Sequence, residues 1–191
     1  MIKQVLKNKF FYFINYFILS SKKVNFKQFY IKGKINIVNK GHIELGDFFK
    51  ANSGQKHNPI GGDSALRLST TSSGSIIIGD NVKISNSAIY SAISVRIEDD
   101  VMIGGGCKIY DTDFHSLYLK DRLKEIDPNV ISKPIIINKG VFIGAHSIIL
   151  KGVTIGNSSV VGAGSVVTKS IPEKEIWAGN PAKFIKKITN Q

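Results

Sequence analysis

The hydrophobic pattern is most regular in the second half of the chain, where a branched aliphatic residue recurs every six positions: Ile137, Ile143, Ile149, Ile155, Val161 and Val167. A compact side chain stands four places after each of these: Val141, Ser147, Val153, Ser159, Ser165 and Ile171. A period of six matches neither the 3.6-residue helical period nor the alternation of a simple strand. It is typical of a short strand and a tight turn that stack on their own repeats, so that each aliphatic is buried only against its neighbours. The pattern therefore predicts an all-β chain, a parallel β-helix.

The same register occurs earlier in the chain, with two breaks. It appears at Ile78 and Ile84, slips, and resumes at Ile97, Ile103 and Ile109, which indicates a bulge or a loosened turn at the slip. It then fails completely from residue 111 to residue 134. An interruption of this length in a regular repeat predicts a loop that protrudes from one side, and such loops often carry function. We place the β-helix domain at residues 24–180, with irregular first coils over 24–45 and a short basic tail over 181–191.

Residues 1–23 form a separate basic and aromatic segment. No Asp or Glu occurs before Glu44, and the run from Phe10 to Leu19 is apolar except for Asn15. This run is shorter than the roughly 20 residues that cross a bilayer. We predict a short N-terminal helix that caps the open end of the β-helix. A helix of this composition could instead lie on a membrane surface, and the sequence leaves that alternative open.

Charge and cysteine content narrow the partners and the compartment. The formal net charge of +12 favours an anionic partner, although a general excess of lysine would also produce it. The lysines are scattered without a nucleic-acid-binding motif, so we expect no nucleic acid partner. A single cysteine, Cys107, excludes an internal disulfide and fits a reducing, cytoplasmic compartment. We predict Cys107 to be a compact core residue.

Several segments together resemble one known family. IGDNVKIS, IEDDVMIGGGCKI and INKGVFIGAHSIILKGVTIGNSSVVGAGSVVTKSIP, with the ending WAGNPAKFIKKI, resemble the hexapeptide-repeat acyltransferases, and the resemblance covers about residues 40–188. NPIGGD, ISNSAI and IYDTDFHSL are similar to the branch that O-acetylates sugars in surface-polysaccharide assembly. The resemblance implies a left-handed β-helix, a homotrimer, and acetyl transfer from acetyl-CoA to a hydroxyl of a sugar. The basic, aromatic N-terminal segment is compatible with a lipid-linked sugar, and a nucleotide-linked sugar is the other candidate acceptor.

His115, inside the protruding loop, is the candidate catalytic residue. A hydroxyl is a poor nucleophile until its proton is being removed, and imidazole is a suitable base near neutral pH. His115 occupies the position of the family's catalytic histidine, and Asp111 and Asp113 stand close to it in the sequence. The resemblance further implies acceptor binding by Asn86, while a structural asparagine at a coil corner is an equally good interpretation of that position. We add Asp113 as an acceptor-binding candidate.

The resemblance also implies a site for acetyl-CoA between two subunits. The matching positions share either a small side chain, an aromatic wall or a positive charge: Phe142, Ala145, Ala163, Gly164, Thr168, Lys169, Lys183 and Lys186. Related tails often carry arginine where this chain has Lys183 and Lys186.

Other functions are compatible with parts of this pattern. The carbonic anhydrases that share the architecture use a three-histidine zinc site with two histidines five apart, a spacing that this sequence lacks, so we expect no metal. An acetyltransferase of the same fold acting on serine, an amino sugar or an antibiotic remains an alternative, as does a non-catalytic β-helix scaffold.

Overall fold

The computed structural model describes residues 2–58, 60, 62 and 64–189, with side chains from residue 9 onward. The helices are α1 (Ile2–Ser21) and α2 (Leu119–Arg122), and a 3-10 turn covers Gln55–His57. The strands are β1 (Asn25–Phe26), β2 (Phe29–Lys32), β3 (Asn36–Asn39), β4 (His42–Leu45), β5 (Phe49–Asn52), β6 (Arg67–Thr70), β7 (Ser75–Ile78), β8 (Lys83–Ser85), β9 (Ala88–Ser91), β10 (Ser94–Ile97), β11 (Met102–Ile103), β12 (Lys108–Tyr110), β13 (Ile135–Ile137), β14 (Phe142–Ile143), β15 (Ile148–Ile149), β16 (Thr154–Ile155), β17 (Val160–Val161), β18 (Val166–Val167), β19 (Glu175–Ala178) and β20 (Lys183–Lys187).

The strands form three sheets, which are the three sides of a prism. Face A contains β1, β4, β7, β10, β13 and β16, face B contains β2, β5, β8, β11, β14, β17, β19 and β20, and face C contains β3, β6, β9, β12, β15 and β18. The chain therefore visits A, B and C in turn, and each strand pairs in parallel with the strand one coil away, except at the β19–β20 pair. The predicted parallel β-helix is confirmed.

The six-residue period sets the core of the prism. Ile137, Ile143 and Ile149 are fully buried, as are Ile155, Val161 and Val167. Residues of the second predicted series, such as Val141 and Ser147, are also buried at the corners. Because side chains alternate between the two sides of a strand, each inward aliphatic leaves its neighbours facing outward. The outward positions are therefore the ones available for binding.

The first coils are more regular than expected. Residues 24–45 were predicted to be irregular, yet β2 pairs with β5 and β3 with β6 in continuous parallel register. Phe29, Ile31, Ile35 and Ile37 point into the core. The prediction was wrong because these coils have longer strands that vary in spacing, so their hydrophobic residues do not follow a strict six-residue period.

Helix α1 lies against the first coil. Asn15 is fully buried in the helix, where its Nδ2 donates to Gly33 O at 2.8 Å and its Oδ1 accepts from Ile35 N at 3.1 Å. Tyr12 stacks on Phe29 with ring centroids 5.0 Å apart. The polar break in the apolar run is thus the residue that joins the helix to the backbone of the first coil. No helix in the described part of the chain has the length and apolar character needed to span a bilayer.

The C-terminal segment is ordered as a hairpin. β19 continues face B in parallel with β17, and β20 returns antiparallel to it after a cis Asn180–Pro181 bond. Trp177 packs partly buried against the core and donates from Nε1 to Glu175 Oε2 at 2.7 Å. Residues 183–187 of the predicted tail are therefore a strand of face B.

Two loops interrupt the coils, and the sequence pattern had identified only the second. Residues 53–66 leave the edge between faces B and C, and residues 111–134 leave the edge between faces C and A. We call these edges the B–C corner and the C–A corner. The two loops flank face C on opposite sides.

Candidate active site

His115 lies at the start of the 111–134 loop, next to a residue that anchors the loop on face C. Phe114 has φ 63°, and its ring lies 4.9 Å from Tyr90 and 5.5 Å from Tyr110. Tyr90 and Tyr110 are register partners in β9 and β12. The side chain of His115 is 74% exposed. The loop therefore holds the imidazole in solvent beside the C–A corner.

Asp127, from the far side of the same loop, is the carboxylate nearest the imidazole in the described structure. Its Oδ2 lies 3.9 Å from His115 Nδ1 and accepts a hydrogen bond of 2.6 Å from Ser116 N. Its Oδ1 is buried without a hydrogen-bond partner among the described residues. A distance of 3.9 Å exceeds a hydrogen bond, and catalytic contacts are often longer before substrate binds. Asp127 is therefore placed to orient the ring after a small movement.

A second carboxylate, Asp121, organises the loop from within. It accepts from Asn129 Nδ2 at 2.7 Å, Lys124 Nζ at 2.9 Å and Ser116 Oγ at 3.4 Å. These donors, Asn129 first and Lys124 second, lower the pKa of Asp121 because they favour the ionised form. The loop is thus held together around Asp121.

The two aspartates close to His115 in the sequence lie elsewhere. Asp111 is fully buried and accepts from Ser91 Oγ and from the backbone N–H groups of residues 92, 93 and 94 at 2.6–2.9 Å. Asp113 pairs with Lys151 Nζ at 2.5 Å. Asp111 therefore fixes the root of the loop to the preceding coil. Acceptor binding by Asp113 stays a prediction.

Asn86, the other predicted acceptor residue, is fully buried at the B–C corner with φ 40°. Its Oδ1 accepts from Gly54 N at 2.8 Å, and its Nδ2 lies 3.4 Å from Gly62 O. Both amide atoms are thus directed to the 53–66 loop. In this structure Asn86 holds that loop, and direct contact with an acceptor stays a prediction.

His146, exposed at the B–C corner just after β14, makes a specific contact. It has φ 61°, and its Nε2 lies 2.8 Å from Ile60 O. Since a carbonyl only accepts, the ring donates from Nε2 in this contact. No sequence pattern indicated this contact, because 86 residues separate the partners.

The predicted acetyl-CoA residues are divided between two regions of a single chain. Phe142 is 46% exposed on face B, and Ala145, Ala163 and Gly164 follow at the B–C corner. β20, with Lys183 and Lys186, lies beside β19 at the end of face B. Thr168 and Lys169 are exposed after β18 at the C–A corner, on the same side as His115. One chain therefore does not bring His115 and the small corner residues to the same edge.

Face B carries a groove of about 400 Å³ on its outer side. Its lining combines lysines with apolar side chains and two small polar groups: Tyr30, Lys32, Lys50, Asn52, Lys83, Ser85, Met102 and Phe142. Of these lining residues, only Phe142 is among the predicted acetyl-CoA residues.

The remaining candidate groups are structural. Cys107 is fully buried, its Sγ lies 3.2 Å from Gly144 O, and burial raises the pKa of its thiol. This agrees with a core role. Within the described residues, no group of three or more His, Cys, Asp and Glu side chains is arranged to hold a metal ion.

Comparison with known proteins identifies the family. Residues 134–169 match the model for the hexapeptide repeat of succinyl-transferase. WbbJ of Escherichia coli K12, a putative lipopolysaccharide biosynthesis O-acetyl transferase, is 34% identical over 163 residues, which are 81% of this chain and 76% of WbbJ. A putative acetyltransferase of Saccharomyces cerevisiae is 40% identical over 117 residues, 61% of this chain and 58% of that protein. The chain belongs to the hexapeptide-repeat acyltransferase family.

Solved structures agree with this assignment. AntD, an N-acyltransferase from Bacillus cereus in complex with dTDP and 3-hydroxybutyryl-CoA, matches with a TM-score of 0.71 and 26% identity, over 91% of this chain and 88% of AntD. A point mutant of AntD, in complex with dTDP-4-amino-4,6-dideoxyglucose and coenzyme A, matches with a TM-score of 0.69 and 27% identity, over 90% of this chain and 88% of the mutant. One relative is thus a putative enzyme of lipopolysaccharide biosynthesis, and another is an acyltransferase that binds a dTDP-linked amino sugar.

Proposed function

We propose that this chain transfers the acetyl group of acetyl-CoA to a hydroxyl of a sugar, with His115 as the general base. The observation that carries the proposal is an exposed imidazole beside Asp127, on the loop of a chain whose relative WbbJ is named as an O-acetyl transferase. The sugar would be a nucleotide- or lipid-linked precursor of a surface polysaccharide.

In the proposed step, an unprotonated nitrogen of His115 accepts the proton of the sugar hydroxyl as its oxygen attacks the thioester carbonyl. Asp127 faces Nδ1, so the base would be Nε2 and the carboxylate would stabilise the imidazolium that forms. When the tetrahedral intermediate collapses, the carbon–sulfur bond breaks and the imidazolium returns the proton to the CoA thiolate. The products are an acetyl ester and CoA.

The small residues of the B–C corner suit the pantetheine arm of acetyl-CoA. A Cβ placed on Gly164, at φ 70°, would meet nothing within 4 Å. Ala163 is exposed beside it, and Ala145 is half-buried one coil away. Such a corner leaves room for the arm's amides to approach the backbone. Lys183 and Lys186 would supply positive charge for the phosphates, with Thr168 and Lys169 contributing from the C–A corner.

We further propose that the active site is shared between copies of the chain in a homotrimer. His115 and the small corner residues lie on opposite edges of face C, so a neighbouring copy would have to bring them together. The 111–134 loop also exposes large apolar side chains, with Leu117 and Leu123 at 77% and Ile126 at 80%. Apolar side chains clustered on a protruding loop favour burial against a partner.

N-acylation of an amino sugar is the second candidate function. It is favoured by the similarity to AntD over nine tenths of the chain and by the amino sugar bound to that N-acyltransferase. The same base and the same CoA site would serve an amine as well as a hydroxyl.

The two candidates are separated by measuring CoA release with matched acceptors. dTDP-linked 6-deoxyglucose and its 4-amino counterpart differ in one group, and lipid-linked saccharides extend the screen. O-acetylation predicts CoA release with the hydroxyl sugar and an alkali-labile acetyl ester in the product. Release with the amino sugar alone, giving an alkali-stable amide, would replace O-acetylation by N-acylation.

Helix α1 supports a further proposal, contact with an anionic membrane surface at the cytoplasmic face. Phe10, Phe13 and Phe17 are 61%, 68% and 73% exposed, and their spacing places them on one side of the helix. Lys9, Lys22 and Lys23 stand close to them along the chain. An aromatic side flanked by lysines suits lipid headgroups. We expect Phe13→Ser/Phe17→Ser to abolish co-sedimentation with anionic liposomes, and unchanged co-sedimentation would refute the contact.

A further inference from the structure

Three lysines of the first three coils line the same groove on face B. Lys32 is in β2, Lys50 in β5 and Lys83 in β8. Lys50 and Lys83 are direct register partners, so their Cα atoms are about 4.8 Å apart, the spacing of neighbouring strands. We call these three residues the lysine ladder.

The ladder is not neutralised by the described part of the chain. None of its three ammonium groups has a described carboxylate within 4.0 Å, whereas Lys124, Lys139 and Lys151 each pair with an aspartate. The Nζ of Lys32 lies 5.8 Å from the centroid of the Tyr30 ring, which is uncharged. Like charges directly opposite in a sheet destabilise it. A bound anion carrying more than one charge would remove that repulsion.

The groove changes chemical character along the prism. From β5 to β14 its outward register column reads Lys50, Lys83, Met102 and Phe142. Asn52 and Ser85 stand two residues after Lys50 and Lys83 in the same two strands, and Asn52 Nδ2 lies 3.4 Å from Ser85 Oγ. An amide and a hydroxyl therefore lie next to the two lysines. The basic end therefore also offers hydrogen-bonding groups suited to phosphate oxygens or a sugar. The apolar end reaches Phe142.

The position of the ladder separates it from the proposed acetyl-CoA site. Phe142 and the other seven predicted acetyl-CoA residues lie in the fifth coil or beyond it, and the lysines lie in the first three coils. A ligand whose phosphates contact the ladder can thus extend along the groove towards Phe142, one of the predicted acetyl-CoA residues. An acceptor must meet acetyl-CoA at one point, so a groove that starts at the lysines and ends at Phe142 is suited to hold one.

We propose that the lysine ladder binds the diphosphate of an activated sugar acceptor and so selects diphosphate-linked sugars. The proposal rests on the proposed function, which supplies the sugar. The diphosphate is common to nucleotide-linked and lipid-linked sugars. Lysines act as point charges, so the contact should weaken with salt.

The test is calorimetric binding without turnover. The full chain is titrated with inorganic pyrophosphate, dTDP, thymidine, farnesyl diphosphate, farnesol and CoA, each at low and high salt, and with dTDP again in the presence of CoA. The groove variant, Lys50→Gln/Lys83→Gln, removes two of the three positive charges of the lysine ladder. The control variant, Lys40→Gln/Lys174→Gln, removes the same charge from exposed lysines outside the groove. We expect the groove variant to weaken binding of the diphosphates at least about tenfold, as for lost hydrogen bonds to charged groups, and the control variant to leave it unchanged.

Each outcome decides the assignment. Tighter binding of dTDP than of farnesyl diphosphate supports a nucleotide-linked acceptor, and the reverse supports a lipid-linked one, provided that thymidine and farnesol bind weakly. Diphosphate affinity equal in the groove variant and the wild type overturns the proposal. Competition between dTDP and CoA, with CoA affinity falling in the groove variant, also overturns it by assigning the ladder to CoA. Failure of every sugar to release CoA would reject the proposed acylation separately, because these titrations need no acetyl transfer.

Discussion

The two loops that flank face C are held in different ways. The 53–66 loop is held by residues of the coils, since Asn86 bonds to Gly54 N and His146 to Ile60 O. The 111–134 loop is held mainly by its own side chains, with Asp121 and Asp127 both bonded to Ser116.

This difference indicates different functions. The first loop is an extension of the scaffold, so its shape depends on the corner beneath it. The second is a self-organised arm that is fixed to the prism at its root and exposes His115 and apolar side chains at its surface. Substitutions in the coils should therefore disturb the first loop, and substitutions inside the arm should disturb the arm's own structure or the position of His115.

The root of the arm should show the largest effect. Asp111→Ala would leave three backbone N–H groups and Ser91 Oγ without their acceptor, and we expect a loss of about 3 kcal/mol or more in the free energy of unfolding. Asp113→Ala, two residues away, removes only a partly exposed ion pair and should cost about 1 kcal/mol or less. Urea denaturation measures both, and equal costs would contradict the assigned role of Asp111.

Asp127 should show the next largest effect, on rate rather than on stability. Asp127→Asn keeps the size of the side chain and removes the charge beside His115 Nδ1. We expect kcat to fall about 10- to 100-fold, by analogy with the loss of a group that orients a metal-binding histidine. KM for acetyl-CoA should not change. An unchanged kcat, or a fall explained by loss of folded protein in the denaturation curve, would exclude the positioning role.

The first loop can be released by a smaller change. Asn86→Gly preserves the positive φ and deletes the amide, leaving Gly54 N unsatisfied, which we expect to cost about 1–2 kcal/mol. Asn81→Gly makes the same substitution at an exposed corner with φ 58° and should be nearly neutral. Hydrogen exchange should become faster in residues 53–66 of the first variant only. Equal exchange in the two variants would show that Asn86 does not hold the loop.

The smallest expected effect is that of acid, which should loosen the arm at a higher pH than it loosens the coils. The pKa of Asp121 is lowered in the folded chain, so its stabilising contribution is present above the ordinary value of 3.8 and is lost as the pH falls through the folded value. Pepsin should therefore cut residues 111–134 faster as the pH is lowered below 3.8. Asp121→Asn should be cut quickly throughout this range, and a wild-type arm insensitive to pH would contradict the role of Asp121.

The sequence predicted what repeats and missed what the fold brings together. The series from Ile137 to Val167 determines the core, because each coil buries the same positions, and the failure of that series located the arm. Asp127 is twelve residues from His115 in an aperiodic loop, and no spacing rule relates them. Asp111 and Asp113 are nearer to His115 in the sequence, yet in the structure both are bonded to other residues.

The contacts at the corners and in the groove could not be predicted from the sequence either. His146 and Ile60, or Lys50 and Lys83, become neighbours only when coils of unequal length are stacked in register. The register cannot be read from the hydrophobic period where loops of unknown length intervene. The predicted roles of Asn86, Asp113 and the acetyl-CoA residues remain predictions, because they depend on ligands or on a second copy of the chain.

The role of His115 is tested most directly by the rate of CoA release from the wild type and from His115→Ala with the best acceptor found in the screen. We predict a fall of about 10²- to 10⁴-fold, the usual contribution of a general base, with the melting temperature and the affinity for acetyl-CoA unchanged. A variant that folds, binds acetyl-CoA and turns over within a few-fold of the wild-type rate would contradict the account.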